Sequence, residues 1–257
     1  MGGDIGLQPQ AAGGNVLKVT EAEFKRLTDN AGLVSEALRN LDAWLAEPSA
    51  AAQRAATLDH IKQRQFPLLL DSFYRLLPFG TGGRRGRVGY GPNRINQITV
   101  AMSVQGHCNF LRQNYSPQSS RKIVVAFDTR LFSDIAKTYA FLSESSGLLG
   151  LSSRELARIA CEIYAANGFE VYLPGLHSAG QYLSTPELSF AIRHLGAIGG
   201  MNVSASHNHP DDNGFKFFNE HGAQDIPPTD QIMASYMEGA GEIQRTPVDQ
   251  EIGRAHV

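Results

Sequence analysis

Ile123-Val-Val-Ala-Phe127 runs without a polar break into Asp128-Thr-Arg130. A short, continuous apolar run is the mark of a strand buried on both faces, because a half-exposed strand would alternate. Working outward, Phe169-Glu-Val-Tyr-Leu173 reads as the next strand, 197–203 as a third and 214–219 as a fourth. Helical spacing covers about 132–144 and 153–167, with a Gly/Ser-rich interruption between them. Thr185-Pro186 reads as an N-cap with proline in the first turn, and Leu188, Ile192 and Leu195 continue that helix. Strands alternating with helices predict an α/β fold: a mostly parallel four-stranded sheet sandwiched by helices.

Upstream the pattern is helical. Residues 1 to about 17 are rich in Gly, Ala and Gln and are expected to be disordered. Thr20-Glu-Ala-Glu23 reads as a capping box opening a helix. Val34, Leu38, Leu41 and Leu45, then Leu58 and Ile61, then Leu69, Phe73 and Leu76, mark further amphipathic helices. Pro78 to Pro92 holds six glycines and three arginines, a composition too flexible and polar for a helix or a core strand. Ala101, Val104, Cys108 and Leu111 then share one helical face. The expected organisation is 1–17 disordered, 18–77 an N-terminal helical extension, 78–245 the α/β domain and 246–257 a tail. Glu251-Ile-Gly-Arg-Ala-His-Val257 reads as translated adapter sequence outside the fold.

A formal charge of −2 gives no global attraction to nucleic acid or to an anionic membrane. No apolar run reaches the roughly 18 residues that a membrane span needs. The N-terminus lacks the basic and apolar regions of a secretory signal. Cys108 and Cys161 form no CxxC and read as buried thiols of a reduced, cytoplasmic protein.

Three loops carry candidate chemistry. Ser206-His-Asn-His-Pro-Asp-Asp-Asn-Gly-Phe follows the third strand, and Lys216 comes next. Loops at the carboxyl ends of buried strands are where open α/β folds place their chemistry. A serine there needs a base or a metal to become a nucleophile. Two other readings stay open on these residues: a metal site from His207 and His209 with Asp211 or Asp212, and a serine hydrolase, although no Gly-x-Ser-x-Gly elbow surrounds Ser206. Phe79-Gly-Thr-Gly-Gly-Arg-Arg-Gly86 can curl backbone N–H groups toward an anion beside two-pronged guanidinium groups. Asp128-Thr-Arg130 lies at the end of the buried strand, where an Asx-turn with a surface arginine is the plainer reading.

These segments, together with Thr185-Pro-Glu-Leu-Ser-Phe-Ala191, Ser204-Ala-Ser-His-Asn208 and Asn213-Gly-Phe-Lys216, resemble in order the first domain of the α-D-phosphohexomutases. Gly91-Pro-Asn-Arg-Ile-Asn-Gln-Ile-Thr-Val100 and the helical preamble resemble the phosphopentomutase-like subgroup. The resemblance implies that Ser206 carries a phosphoryl group, with His207 and Asn208 as its loop companions. It implies that Lys216 helps to move the substrate's hydroxyl proton and that Arg85 acts from the Gly-rich loop. Thr81, Gly82, Arg85, Asn208, Asp128 and Arg130 are the implied substrate-binding set. The implied reaction interconverts hexose 1- and 6-phosphates, or pentose 1- and 5-phosphates, through a sugar bisphosphate. Mg²⁺ would be met by Ser206 through its phosphate, its other ligands lying in a second domain, and a sugar bisphosphate would activate the enzyme.

The sequence also departs from the family. His209 stands where proline usually follows Ser-His-Asn, Gly82-Gly-Arg84 replaces the more usual small-Gly-Leu run, and the loop near 145–152 reads as an insertion. Family members are four-domain chains, so a domain I fragment, inert alone, is expected. Its partners would be sugar phosphates and the missing C-terminal domains, with no nucleic acid and no membrane. The alternative is a non-catalytic domain that binds sugar phosphates or a partner through the arginine loop.

Overall fold

The computed structural model describes residues 12–47, 51–80, 82–116, 118–140, 147–174 and 181–247. They fall into two compact units.

The first unit comprises residues up to Leu76, with Gly89–Arg94 and Tyr139–Gly147. Its helices are α1 (Ala12–Leu27), α2 (Ala31–Ala46), α3 (Ala51–Lys62) and α4 (Phe66–Phe73). Asn30 caps α2 by accepting from the Leu33 N–H at 3.0 Å. Val34, Ala37, Leu41 and Trp44 form the buried stripe of α2, and Trp44 meets Phe73 of α4 edge-on at 5.9 Å. Helix α1 corrects two expectations. It starts at Ala12, within the stretch expected to lack order. Thr20 is therefore a mid-helix residue, and its buried hydroxyl donates to the Val16 carbonyl one turn back instead of capping an N-terminus.

The second unit holds β1 (Gly83–Arg87), α5 (Gln97–Asn114), β2 (Lys122–Phe127), α6 (Ser153–Ala166), β3 (Glu170–Tyr172), α7 (Thr185–Leu195), β4 (Gly199–Val203), β5 (Asp212–Asn219) and α8 (Thr229–Glu238). The sheet order is β1-β5-β4-β2-β3. Strand β2 is parallel to β3 and β4, as its uninterrupted burial requires. Val124 and Ala126 pack under Leu188, Ala191 and Ile192 of α7. Helix α6 packs on β2, β3 and β4, and α5 packs on α6 and α8. The predicted face of α5, with Ala101, Val104, Cys108 and Leu111, is buried.

The sheet has five strands and is mixed, which corrects the mostly parallel four-stranded expectation. Residues 204–211 are too few for the crossover a parallel pair needs, so β4 and β5 are antiparallel. The Gly/Arg-rich segment supplies β1, antiparallel to β5. The N-cap of α7 is Ser184, one residue before the expected Thr185, in a capping box with Glu187. The helix expected over 132–144 is absent from its described part, 132–140. There Asp134 and Lys137 sit at φ +53°, and the Asp134 carboxylate accepts from the Thr138 N–H at 2.8 Å. Such side-chain acceptors compete with helical carbonyls for the same amides.

The interior of this unit predicts an acid transition. Burial holds His107 down to about 3, and its Nδ1 lies 2.7 Å from the Tyr164 hydroxyl. The unfolded chain takes this proton first, so stability is complete above the ordinary histidine range and falls as pH drops toward about 3. We expect up to about 3 kcal/mol to be lost between about pH 7 and about pH 4. Denaturant titrations should show that slope, flattened in His107→Gln; equal slopes in both proteins would assign the acid sensitivity elsewhere. Cys108 and Cys161 are buried free thiols, each pushed up by burial. No described helix is long and apolar enough to cross a membrane.

Candidate active site

The loop between β4 and β5 bends at Ser206, whose φ is +55°. A left-handed backbone costs a non-glycine residue about 1–2 kcal/mol and persists only where its surroundings impose it. Here the Ser206 N–H donates to Ser204 Oγ at 3.0 Å and the Asn208 N–H to the Ala205 carbonyl at 3.1 Å. The Asn208 amide donates to the Asp212 carboxylate at 3.1 Å, and the Asp212 N–H to the His209 carbonyl at 2.9 Å. The Ser206 hydroxyl is exposed, 3.4 Å from His207 Nδ1.

Behind this loop stands Arg130. Its Nη1 donates to the carbonyls of His209 (2.7 Å) and Asp212 (2.9 Å). Its Nη2 donates to those of Ser206 and Asn208, both at 2.9 Å. Its Nε faces the Asp128 carboxylate at 3.3 Å. Asp128 also accepts from the Arg130 N–H at 3.0 Å and from Ser153 Oγ at 2.6 Å. The Asx-turn is thus present, but the arginine is only 13% exposed and serves the loop. In the folded chain Asp128 and Arg130 both contact protein groups of this loop and its surroundings.

Arg85 and Lys216 lie on the other wing. Strand β1 pairs with β5 so that Arg85 is opposite Gly214 and Gly83 opposite Lys216. Directly opposed residues point to the same side of a sheet, so Arg85 and Lys216 share a face. Gly214 makes this possible, since a Cβ there would come 2.5 Å from Arg85 Cγ. Desolvation holds the Lys216 ammonium below the usual lysine range, and the Arg85 guanidinium adds to that. Two cations kept together at a strand edge favour an anion between them, and a perturbed lysine of this kind is a mark of chemistry. Arg85→Gln should therefore raise the Lys216 pKa. The pH dependence of Lys216 acylation, followed by mass spectrometry, reads this; an unmoved midpoint would remove Arg85 as a cause.

The remaining candidates divide. Gly82 (φ +71°) lies in the turn before β1, and its carbonyl accepts from the Phe217 N–H at 2.8 Å. The Gly80 and Gly83 amides bond to each other's carbonyls, which takes two donors from the expected anion cradle. Thr81 lies outside the described residues. Arg84 points to the opposite face, buried, with Nη1 3.0 Å from Ser103 Oγ. His209 Nδ1 accepts from the Asp211 N–H at 3.1 Å. The Asp211 carboxylate takes the Ile135 and Ala136 N–H groups at 3.0 and 2.8 Å. Among the described residues no group of three or more His, Cys, Asp or Glu side chains is arranged to hold a metal ion. Nor does a carboxylate orient His207 there, as a hydrolase triad would need. Sequence reasoning missed Ser153, which ties Asp128 to Asn213, with Asn213 Nδ2 at 3.1 Å from its hydroxyl. A serine in the first turn of a helix carries no signal of such a bridge.

The family model for phosphoglucomutase/phosphomannomutase, alpha/beta/alpha domain I, matches residues 77–143 and 151–242. The chain belongs to this family. The match spans every strand of the sheet and the Ser206 loop, and it omits 144–150, which overlaps the insertion expected near 145–152. Among relatives, a phosphopentomutase of Homo sapiens is 33% identical over 162 residues, 63% of this chain and 23% of that protein. A phosphoglucomutase of Staphylococcus saprophyticus is 34% identical over 181 residues, 70% of this chain and 27% of its own length. A solved phosphoglucomutase/phosphomannomutase family protein from Burkholderia thailandensis is 20% identical, with a TM-score of 0.43 over 65% of this chain and 31% of that one. The chain spans about a quarter of the length of the curated relatives it matches.

Proposed function

We propose that this chain is the phosphoryl-carrying domain of a phospho-sugar mutase. The observation that carries the reading is Ser206, exposed and held in a left-handed backbone on a cross-braced loop, in the same fold unit as the Arg85–Lys216 pair. In the proposed step a sugar hydroxyl attacks phosphorus in line. The P–O bond to Ser206 Oγ breaks, a P–O bond to the sugar forms, and the hydroxyl's proton passes through Lys216 to the serine oxygen. A lysine below its usual pKa has a larger neutral fraction to accept that proton. Phosphoryl transfer asks for positioning and charge neutralisation, which Arg85 supports. The reverse step on the other end of the bisphosphorylated sugar returns a phosphoryl group to Ser206.

The substrates proposed are hexose 1- and 6-phosphates or pentose 1- and 5-phosphates, in the cytoplasm. Mg²⁺ would meet this chain through the phosphate on Ser206; among the described residues no cluster of three or more His, Cys, Asp or Glu side chains is arranged to hold it. The remaining ligands, the sugar site and the second phosphate site are assigned to other domains, so the chain alone is proposed to be inert.

The test is a graft. The matched 181-residue segment of the S. saprophyticus phosphoglucomutase is replaced by this chain's counterpart. The graft should interconvert a sugar 1-phosphate and its terminal phosphate isomer, and the hexose to pentose rate ratio will report preference. A folded, soluble graft without turnover on either sugar would reject the assignment.

A further inference from the structure

The Ser206 loop presents its carbonyls inward. Those of Ser206, Asn208, His209 and Asp212 converge on the one Arg130 guanidinium, whose fifth donor meets Asp128. Arginine has five N–H donors in a flat fork; four of them are hydrogen-bonded to these carbonyls and the fifth faces the carboxylate. A trans peptide holds its C=O and N–H on opposite sides. The Ser206 carbonyl turned to Arg130 therefore turns the His207 N–H the other way, and the Asn208 carbonyl does the same for the His209 N–H. Neither N–H has an acceptor in the protein among the described residues. Ser206, His207 and His209 are all exposed.

We propose that Arg130 is a positioning residue that turns this loop inside out, so that the His207 and His209 amides form a cradle for a phosphoryl group on Ser206. The arginine never touches the phosphate. It neutralises four carbonyl dipoles that would otherwise repel an anion, and it fixes two amide dipoles that attract one. Preorganised amides of this kind stabilise an oxyanion without reorganising when charge arrives. The same clamp explains why Ser206 stays at φ +55°. A lysine could not substitute, because a single ammonium with three donors cannot span four carbonyls and a carboxylate.

This inference rests on Ser206 as phosphoryl carrier, but its test needs no turnover. Phosphoserine is placed at position 206 of this chain by translation, and amide exchange at His207 and His209 is followed by NMR. Phosphorylation should move both amide protons downfield and slow their exchange at least about tenfold, as charge-assisted hydrogen bonds do. Arg130→Lys should lose that protection. Guanidinium ion added to Arg130→Ala should restore part of it, which a merely structural loss would not allow. Unchanged exchange at both amides in the phosphorylated wild-type chain overturns the proposal, and so does full protection in a folded Arg130→Lys variant. If neither variant folds, the wild-type comparison decides alone. A failed graft with protected amides would reject the mutase and keep the cradle; a working graft with unprotected amides would do the reverse.

Discussion

Ser206→Ala in the active graft should lower kcat at least about 10⁴-fold, the scale on which removing a nucleophile acts. The substitution deletes the only atom proposed to bond phosphorus on the protein, and no neighbour replaces it. His207 Nδ1 lies 3.4 Å from the hydroxyl, but Arg130 fixes the loop by carbonyls of the backbone, which alanine leaves in place. The KM for sugar phosphate should therefore change little while kcat collapses. Alanine tolerates a left-handed φ no better than serine, so a thermal melt within about 2 °C of the parent would show that the loss is chemical. A variant retaining more than about one hundredth of the parent kcat would take the phosphoryl carrier away from Ser206.

Gly83→Val should destabilise the second unit by at least about 3 kcal/mol and disturb the site with it. A Cβ at position 83 would lie 2.0 Å from the Phe215 carbonyl oxygen and 2.8 Å from Lys216 Cα. Both obstacles are backbone, so no rotamer change clears them. The only relief is to part β1 from β5, and β1 is the edge strand of the sheet. Parting carries Arg85 away from Lys216, which removes the coulombic cause of the depressed lysine pKa. Two readouts should then move together: a lower denaturation midpoint, and a Lys216 titration shifted back toward the ordinary range. A destabilised variant with an unmoved Lys216 would separate the strand pairing from the electrostatics and contradict this account.

Much of the fold was legible because burial leaves a pattern. Strand β2 needed no homologue, since Val124 and Val125 face opposite layers and both are apolar. The face of α5 was equally plain. What failed shares a cause: backbone groups find partners without regard to side-chain pattern. Edge strand β1 pairs through its peptide groups, so glycines and arginines serve, and the segment reads as a loop. Thr20 has the spacing of a cap, yet the backbone beneath it was already helical from Ala12. Residues 132–140 carry helical spacing, but Asp134 and Asp211 take the amides that a helix would use.

The site was legible in part and for the same reason. Ser206, Lys216 and Arg85 were reachable by motif. Asp128 and Arg130 were found beside the site, but proximity does not give direction, and nothing in Asp-Thr-Arg says that the guanidinium turns to four carbonyls. Ser153 reaches Asp128 from a distant segment, Asp211 of the loop takes the amides of Ile135 and Ala136, and only the folded chain brings these groups together.

On the proposed reading Ser206 carries the migrating phosphoryl group. Phosphopeptide mass spectrometry of the graft, quenched after incubation with a bisphosphorylated sugar, tests it most directly. One phosphoryl group on the peptide containing Ser206, localised to that oxygen and absent from Ser206→Ala, is the predicted result. Turnover with no phosphate on that peptide, or with phosphate on another residue of this chain, would contradict it.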